Sequence, residues 1–125
     1  MIMDMDLLKF RTLKSKLNRE GSLSLRVASN SMVPVLKTGQ IISVKRAEIA
    51  NLKKFDILVF LQNEIIMCHF LWSVQTGSEG QVELITKSIE NPTEIDIPLK
   101  EGLLLGKVDA TIPIHIKIKI WLKNL

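Results

Sequence analysis

Short apolar segments separated by turn sequences recur along the chain, and this pattern limits the possible folds more than any other feature. Residues 23–27 alternate apolar with polar side chains, which is typical of a half-buried strand. Two apolar runs, 57–61 and 65–72, are separated only by the short polar segment 62–64, which indicates a hairpin. With four Phe, two Trp and no Tyr, the core must consist mainly of Ile, Leu and Val, a bias that favours strands. We predict strands at 23–27, 41–45, 57–61, 65–72, 81–87, 103–108 and 112–120.

The first twenty residues have a different period. Between Asp6 and Arg19 several apolar residues lie three or four positions apart, so they share one face of a helix, and Gly21 marks its end. We predict a mainly β domain of bent antiparallel sheets over 22–125, with an N-terminal amphipathic helix, 1–21, packed on it. That helix should contact the domain through Phe10, Leu13 and Leu17.

Charge and cysteine content limit the macromolecules, metals and cofactors that the chain is expected to bind. The net charge is +4, but the lysines are scattered and no aromatic–arginine stacking pattern accompanies them, so we predict no specific nucleic-acid binding. Mild attraction to an anionic membrane or to acidic peptides stays open. The single Cys68 excludes an intrachain disulfide, and one Cys with two distant His residues is a poor zinc set, so we expect no metal and no other cofactor.

Neither a secretory signal nor a membrane-spanning segment is visible in the sequence. Charged residues interrupt the first twenty positions, and no apolar run reaches about 18 residues. We therefore expect a cytoplasmic protein, either free or peripheral to the membrane.

Two histidines are candidates for acid–base chemistry. A serine hydroxyl becomes a good nucleophile only with a base within hydrogen-bond reach. His69 lies in a strand-like apolar run, where a polar ring needs a partner, so it is either a base or a core histidine bonded to backbone. His115 alternates with Lys117 and Lys119, which favours an ordinary exposed residue.

Residues 29–34, Ser-Asn-Ser-Met-Val-Pro, follow a predicted strand and resemble the serine motif of signal peptidases, in which Ser, Met, one residue and Pro come after a strand. Five further segments resemble parts of that family and occur in the same order. They are the turn and strand at 37–44, the strand at 55–60, Cys68-His69-Phe70 at the position of the catalytic base, the box at 86–91, which is similar to Thr-Lys-Gly-Asp-x-Asn, and Gly-Lys-Val at 106–108. The resemblance runs from 23 to 108, about two-thirds of the chain.

Histidine at position 69 is similar to the archaeal, sporulation-type and endoplasmic-reticulum signal peptidases. Ordinary bacterial signal peptidases and LexA-like self-cleaving repressors have lysine there. The resemblance implies the LexA/signal peptidase-like fold and a serine endopeptidase that removes signal or leader peptides from secreted or modified precursors. Ser31 would be the nucleophile, His69 the base and Asp96 the acid that orients it, with the Ser29 hydroxyl and the Ser31 N–H as the oxyanion hole.

The resemblance also implies an extended peptide or protein substrate with small side chains just before the cut. Such a substrate would pair with the strand near 25–28, which carries Leu25 and Val27, or with the strand at 57–61. Met32 and its neighbours would line a shallow apolar pocket.

Several positions depart from the family pattern. Ser88-Ile89 stand where Gly-Asp is usual, which leaves Glu90 and Glu94 as alternatives to Asp96, and Phe55 replaces a glycine. No membrane anchor is visible, so an exporter or the membrane periphery is a candidate partner. The alternating Ile and Lys residues near the C-terminus favour an edge strand over a basic surface that touches lipid.

Two other functions stay open. A non-catalytic descendant would bind extended peptides by adding them to its sheet, and the change at Ser88-Ile89 keeps this interpretation alive. A LexA-like self-processing regulatory domain is the other. Against it, that branch uses lysine, and no Ala-Gly or Cys-Gly dipeptide precedes Ser31.

Overall fold

A computed structural model describes residues 2–125. Its regular elements within that range are eight strands and two α-helices. In chain order they are β1 (Met3–Asp4), α1 (Leu7–Glu20), β2 (Ser22–Arg26), β3 (Ile41–Lys45), β4 (Ile57–Gln62), β5 (Ile65–Thr76), β6 (Val82–Lys87), β7 (Leu99–Lys100), β8 (Leu104–Val108) and α2 (Ile114–Lys123).

All the strands form one antiparallel sheet, which confirms the predicted mainly β class. Seven strands follow the order β2-β3-β8-β4-β5-β6-β7, and β1 pairs with the start of β5. Strand β5 pairs with β4 through its first half and with β6 through its second half. A β-bulge between Leu71 and Ser73 separates the halves, and bulges of this kind bend a strand.

Strand alternation gives the sheet two apolar faces. On one face Ile57, Val59, Cys68 and Phe70 pack with the two helices in the larger core cluster. The opposite face carries a smaller cluster of Leu58, Phe60, Leu71, Leu84, Leu99 and Leu104. His69 lies on this second face, with its ring 6.1 Å from that of Phe60. Cys68 and Phe70 therefore face away from His69, as alternation along a strand requires.

Helix α1 is capped at both ends. The Asp6 carboxylate accepts from the Lys9 N–H at 2.8 Å. Gly21 ends the helix with φ of 84°, a left-handed conformation that glycine adopts without penalty, and its N–H donates to the Leu17 carbonyl. Phe10 and Leu17 are buried in the larger cluster, and Leu13 packs against it.

The C-terminal segment corrects a prediction. Residues 112–120 were predicted to form a strand, but Ile114–Lys123 is a helix. An isoleucine at every second position also places isoleucines four residues apart, which is a helical spacing. Ile112, Ile116 and Ile120 are buried in the larger cluster, and Pro113, with φ of −58°, suits a helix start. Neither helix within 2–125 is long and apolar enough to cross a membrane.

Candidate active site

Ser31 lies in the connection between β2 and β3. The base of this connection is closed by two backbone hydrogen bonds, from the Val27 N–H to the Gln40 carbonyl and from the Gly39 N–H to the Val27 carbonyl. The buried side chains of Met32 and Leu36 fasten it to the core. The half-buried Ser31 is therefore held on a well-anchored loop, with its Oγ 3.3 Å from Ser29 Oγ.

His69 lies in the first half of β5, opposite Leu58 of β4, and is 5% exposed. Its Nδ1 is 2.6 Å from the Oδ2 atom of Asp96. Because a carboxylate oxygen only accepts, Nδ1 carries the proton of this hydrogen bond, and in the neutral ring Nε2 then keeps the lone pair. The carboxylate thus selects the tautomer that a general base needs.

Thr86 holds Asp96 through two contacts. The Thr86 hydroxyl donates to Asp96 Oδ2 at 2.7 Å, and the Asp96 N–H donates to the Thr86 carbonyl at 2.9 Å. Thr86 is fully buried in β6. It fixes both the backbone and the carboxylate of Asp96, and it was missed as a functional residue, although it opens the segment that resembles the Thr-Lys box.

A cavity of about 320 Å³ joins the predicted catalytic residues. Ser29, Ser31, His69 and Asp96 all line it. The sequence also predicted a Ser31–His69 contact of about 2.6–3.2 Å, or longer without a ligand. That hydrogen bond is not formed. The buried Nε2 of His69 is the one buried side-chain nitrogen or oxygen within 2–125 that has no hydrogen-bond partner.

The segment after β6 forms the wall opposite β5. The Glu90 N–H donates to the Ser31 carbonyl at 3.0 Å, which ties this segment to the loop that carries Ser31. Ser88 lines the cavity and accepts from the Asn91 N–H, while Ile89 packs against the larger core cluster. The two residues that depart from the Gly-Asp pattern therefore both have structural roles here.

The alternative acids lie in the same wall. Glu90 and Glu94 line the cavity but are exposed, whereas Asp96 is the acid that contacts His69. Met67 and Ile95, which the sequence did not single out, add apolar lining. His115 is exposed on α2, as expected for an ordinary surface residue.

The structure places the predicted substrate-binding side chains in the core. Leu25, Val27 and Met32 are all buried in the larger core cluster and do not line the cavity. Alternation identifies residues that share a face, but it does not identify the face that meets the cleft. Strand β4 is also unavailable for pairing with a substrate, because β5 and β8 flank it on both sides.

Two strand edges are open instead. Strand β2 is at the end of the sheet order, so its outer edge carries no strand from the described part of the chain. On β5, β1 pairs with Ile65 and Ile66, and β6 begins to pair at Phe70. The three residues between them, including His69, have no strand from residues 2–125 on the side away from β4.

No group of three His, Cys, Asp or Glu side chains in the described chain is arranged to hold a metal ion. The chain matches no protein-family model. No curated protein is significantly similar to it.

Proposed function

We propose that the protein is a serine endopeptidase of the signal peptidase type that removes signal or leader peptides from precursor peptides. One observation carries the proposal. Asp96 holds His69 by Nδ1, and Nε2 is left without a partner on a residue that shares its cavity with Ser31. A buried polar atom without a partner is rare, and a base awaiting the proton of a nucleophile accounts for it.

In the proposed reaction Ser31 Oγ attacks the carbonyl carbon of the scissile bond, and its proton passes to His69 Nε2. The imidazolium is stabilised by the Asp96 carboxylate. The Ser29 hydroxyl and the Ser31 N–H donate to the oxyanion. When the C–N bond breaks, His69 returns the proton to the leaving amine. Water then repeats the sequence on the acyl-enzyme and releases Ser31.

The substrate would bind in extended form along an open strand edge. The edge at 67–69 is the better candidate, because Met67 and His69 line the cavity and a strand added there passes the catalytic residues. The exposed side chain of Ile95 borders the same cavity and offers apolar contact. The expected preference for small residues before the cut remains part of this proposal.

A fluorophosphonate probe tests the proposal without a known substrate. The probe should attach to Ser31 in the folded protein, with the expected mass increase mapped to that residue by mass spectrometry. Ser31→Ala should abolish labelling and leave the melting temperature nearly unchanged, because a loop hydroxyl contributes little to the core. The matched control, Ser78→Ala in an exposed turn, should label like the wild type. Absence of labelling in the wild type would exclude the peptidase.

A second candidate is a domain that binds extended peptides without cutting them. The missing hydrogen bond between Ser31 and His69 favours it, since strand addition at 67–69 needs no nucleophile. The two functions separate in one assay. A peptidase converts a bound leader peptide to fragments and Ser31→Ala does not, whereas a binding domain leaves the peptide intact in both proteins.

A further inference from the structure

Helix α2 has two apolar faces. The inner face, Ile112 with Ile116 and Ile120, is buried in the core. The outer face is the set of apolar side chains on α2 that are each at least half exposed: Ile114, Ile118, Trp121 and Leu122. Spacings of four, seven and eight residues from Ile114 keep this set on one stripe, roughly opposite the inner face at 3.6 residues per turn. A surface helix needs only one such stripe, so the outer face requires a partner.

Basic side chains border this outer face. At about 100° per residue, Lys117 falls on one flank, and His115 and Lys119 fall on the other. Residues 110–125 contain no Asp or Glu. The segment is therefore an apolar stripe inside a basic border, with no acid to neutralise it.

We propose that the outer face of α2 docks the protein on a membrane that contains anionic lipid, with the helix lying in the plane of the interface. The apolar stripe would enter the boundary between headgroups and acyl chains, where a Trp side chain such as Trp121 is favoured. The two lysines would lay their aliphatic stems along the stripe and place their ammonium groups among the lipid phosphates.

The charge pattern selects lipid over a second copy of the chain. A symmetric dimer through the outer face would bring the same patch of both copies together. Four lysine ammonium groups would then meet with no carboxylate from 110–125 between them, and like charges at an interface oppose association. An anionic surface satisfies the same lysines.

The attachment of α2 to the cleft gives docking a consequence for the site. The Asn124 side chain donates to the Pro92 carbonyl at 3.0 Å and accepts from Lys87 Nζ at 2.7 Å, so the end of α2 is joined to the cleft wall and to the neighbour of Thr86. A second cavity, between α2 and these loops, is lined by Pro34, Ile89 and Pro92. Docking would fix the orientation of the cleft wall relative to the lipid surface. If the proposed peptidase function is correct, its substrates are precursors presented at a membrane.

Vesicle co-sedimentation tests the docking. The full chain is mixed with phosphatidylcholine vesicles, either pure or with about one-third phosphatidylglycerol. We expect binding to the anionic vesicles only, together with a blue shift of Trp emission. Trp121→Phe should keep the binding and lose most of the shift, which would place that residue in the lipid.

A matched pair of double variants isolates the outer face. Ile118→Glu with Trp121→Glu should reduce partitioning at least about tenfold, because two acids replace the inserted side chains. Ile41→Glu with Val74→Glu makes the same charge change at positions of equal exposure, 54% and 49% against 54% and 50%, and should lose much less. Thermal unfolding verifies that both variants fold. Equal losses in the two would overturn the assignment to α2.

A lysine series tests the basic border. Replacing Lys117 and Lys119 by Gln should weaken binding by about fivefold per lysine, more than the same change at the exposed Lys9 and Lys16. Lipid-free dimerisation that the Ile118/Trp121 variant abolishes would identify a second copy as the partner and sink the proposal. Fluorophosphonate labelling in the absence of vesicles is independent of docking, so failure of one proposal is distinguishable from failure of the other.

Discussion

The buried polar groups on the two faces of the sheet differ in whether their hydrogen-bonding atoms have partners. On the face covered by the helices, Lys87 is 3% exposed, but its ammonium donates to Asn124 and lies 3.8 Å from the Trp72 ring centre. On the cleft face, His69 is nearly as buried and is paired at Nδ1 only. On the helix-covered face the buried ammonium has a hydrogen-bond partner. On the cleft face one buried nitrogen, Nε2 of His69, has none within residues 2–125. That difference is why we propose the cleft face as the site of the reaction.

The desolvation of Lys87 supports this contrast. Burial lowers the pKa of its ammonium, and the neighbouring Lys54 lowers it further. The adjacent residue, Thr86, points to the other face and holds Asp96. Alternation along β6 thus assigns consecutive residues to a packing role and a positioning role.

The largest effect should come from His69→Ala. Removing the proposed base should slow fluorophosphonate labelling of Ser31 by about a thousandfold or more. His115→Ala, on the exposed surface of α2, should label at the wild-type rate. The labelling rates are measured by intact mass spectrometry. Equal rates for the two variants would show that His69 on the cleft face takes no part in the reaction.

A core variant on the helix-covered face should lose stability but keep its labelling at Ser31. Phe70 is fully buried one position from His69 and points to the helices. Phe70→Ala should cost about 3–5 kcal/mol in the free energy of unfolding, because it leaves a cavity. Denaturant unfolding measures the loss. The folded fraction should still label at Ser31, and a loss of labelling without a loss of stability would break the comparison.

Thr86→Val should act on Asp96 alone. The variant keeps the shape of the buried side chain but removes the hydroxyl that donates to the carboxylate. We expect about a tenfold slower labelling of Ser31, the value of one hydrogen bond to a charged acceptor. Thr86→Ser should restore the rate, and Thr76→Val, an exposed change on β5, should leave it unaltered. A defect that serine does not rescue would indicate packing rather than positioning.

The smallest effect concerns Cys68, which is next to His69 in the chain but faces the helix-covered side of the sheet. Burial raises the pKa of its thiol to about 12, so the reactive thiolate is scarce at neutral pH. An Ellman-type reagent should therefore leave the native protein almost unmodified and react fully after unfolding. Rapid reaction in the native state would mean that this part of the sheet opens.

Local patterns predicted most of the strands and the burial of α1, because alternation and helical spacing are properties of neighbouring residues. The same patterns failed at 112–120, where isoleucines fit both periods and contact with the core selected the helix. His69 was recognisable as a polar ring in an apolar run. Its pairing with Asp96 spans 27 positions, so no local pattern contains it, and that acid came from a family resemblance alone.

Thr86 was overlooked for a related reason. A threonine in a strand is ordinary, and only the return of the chain after Pro92 brings Asp96 onto it. The side chains of Leu25, Val27 and Met32, predicted to bind substrate, are buried in the larger core cluster, because the direction of a strand face depends on the whole sheet.

The bulge in β5 separates the half that carries His69 from an extension that can vary in length. Beyond it, side chains 73–76 are exposed, and the hairpin closes where the Gly77 N–H donates to the Gln81 carbonyl. Neither the cavity nor the larger core cluster includes these residues. The tip at 77–81 is thus a natural point for insertion. A reporter peptide or an added recognition loop placed there would leave the geometry around His69 intact.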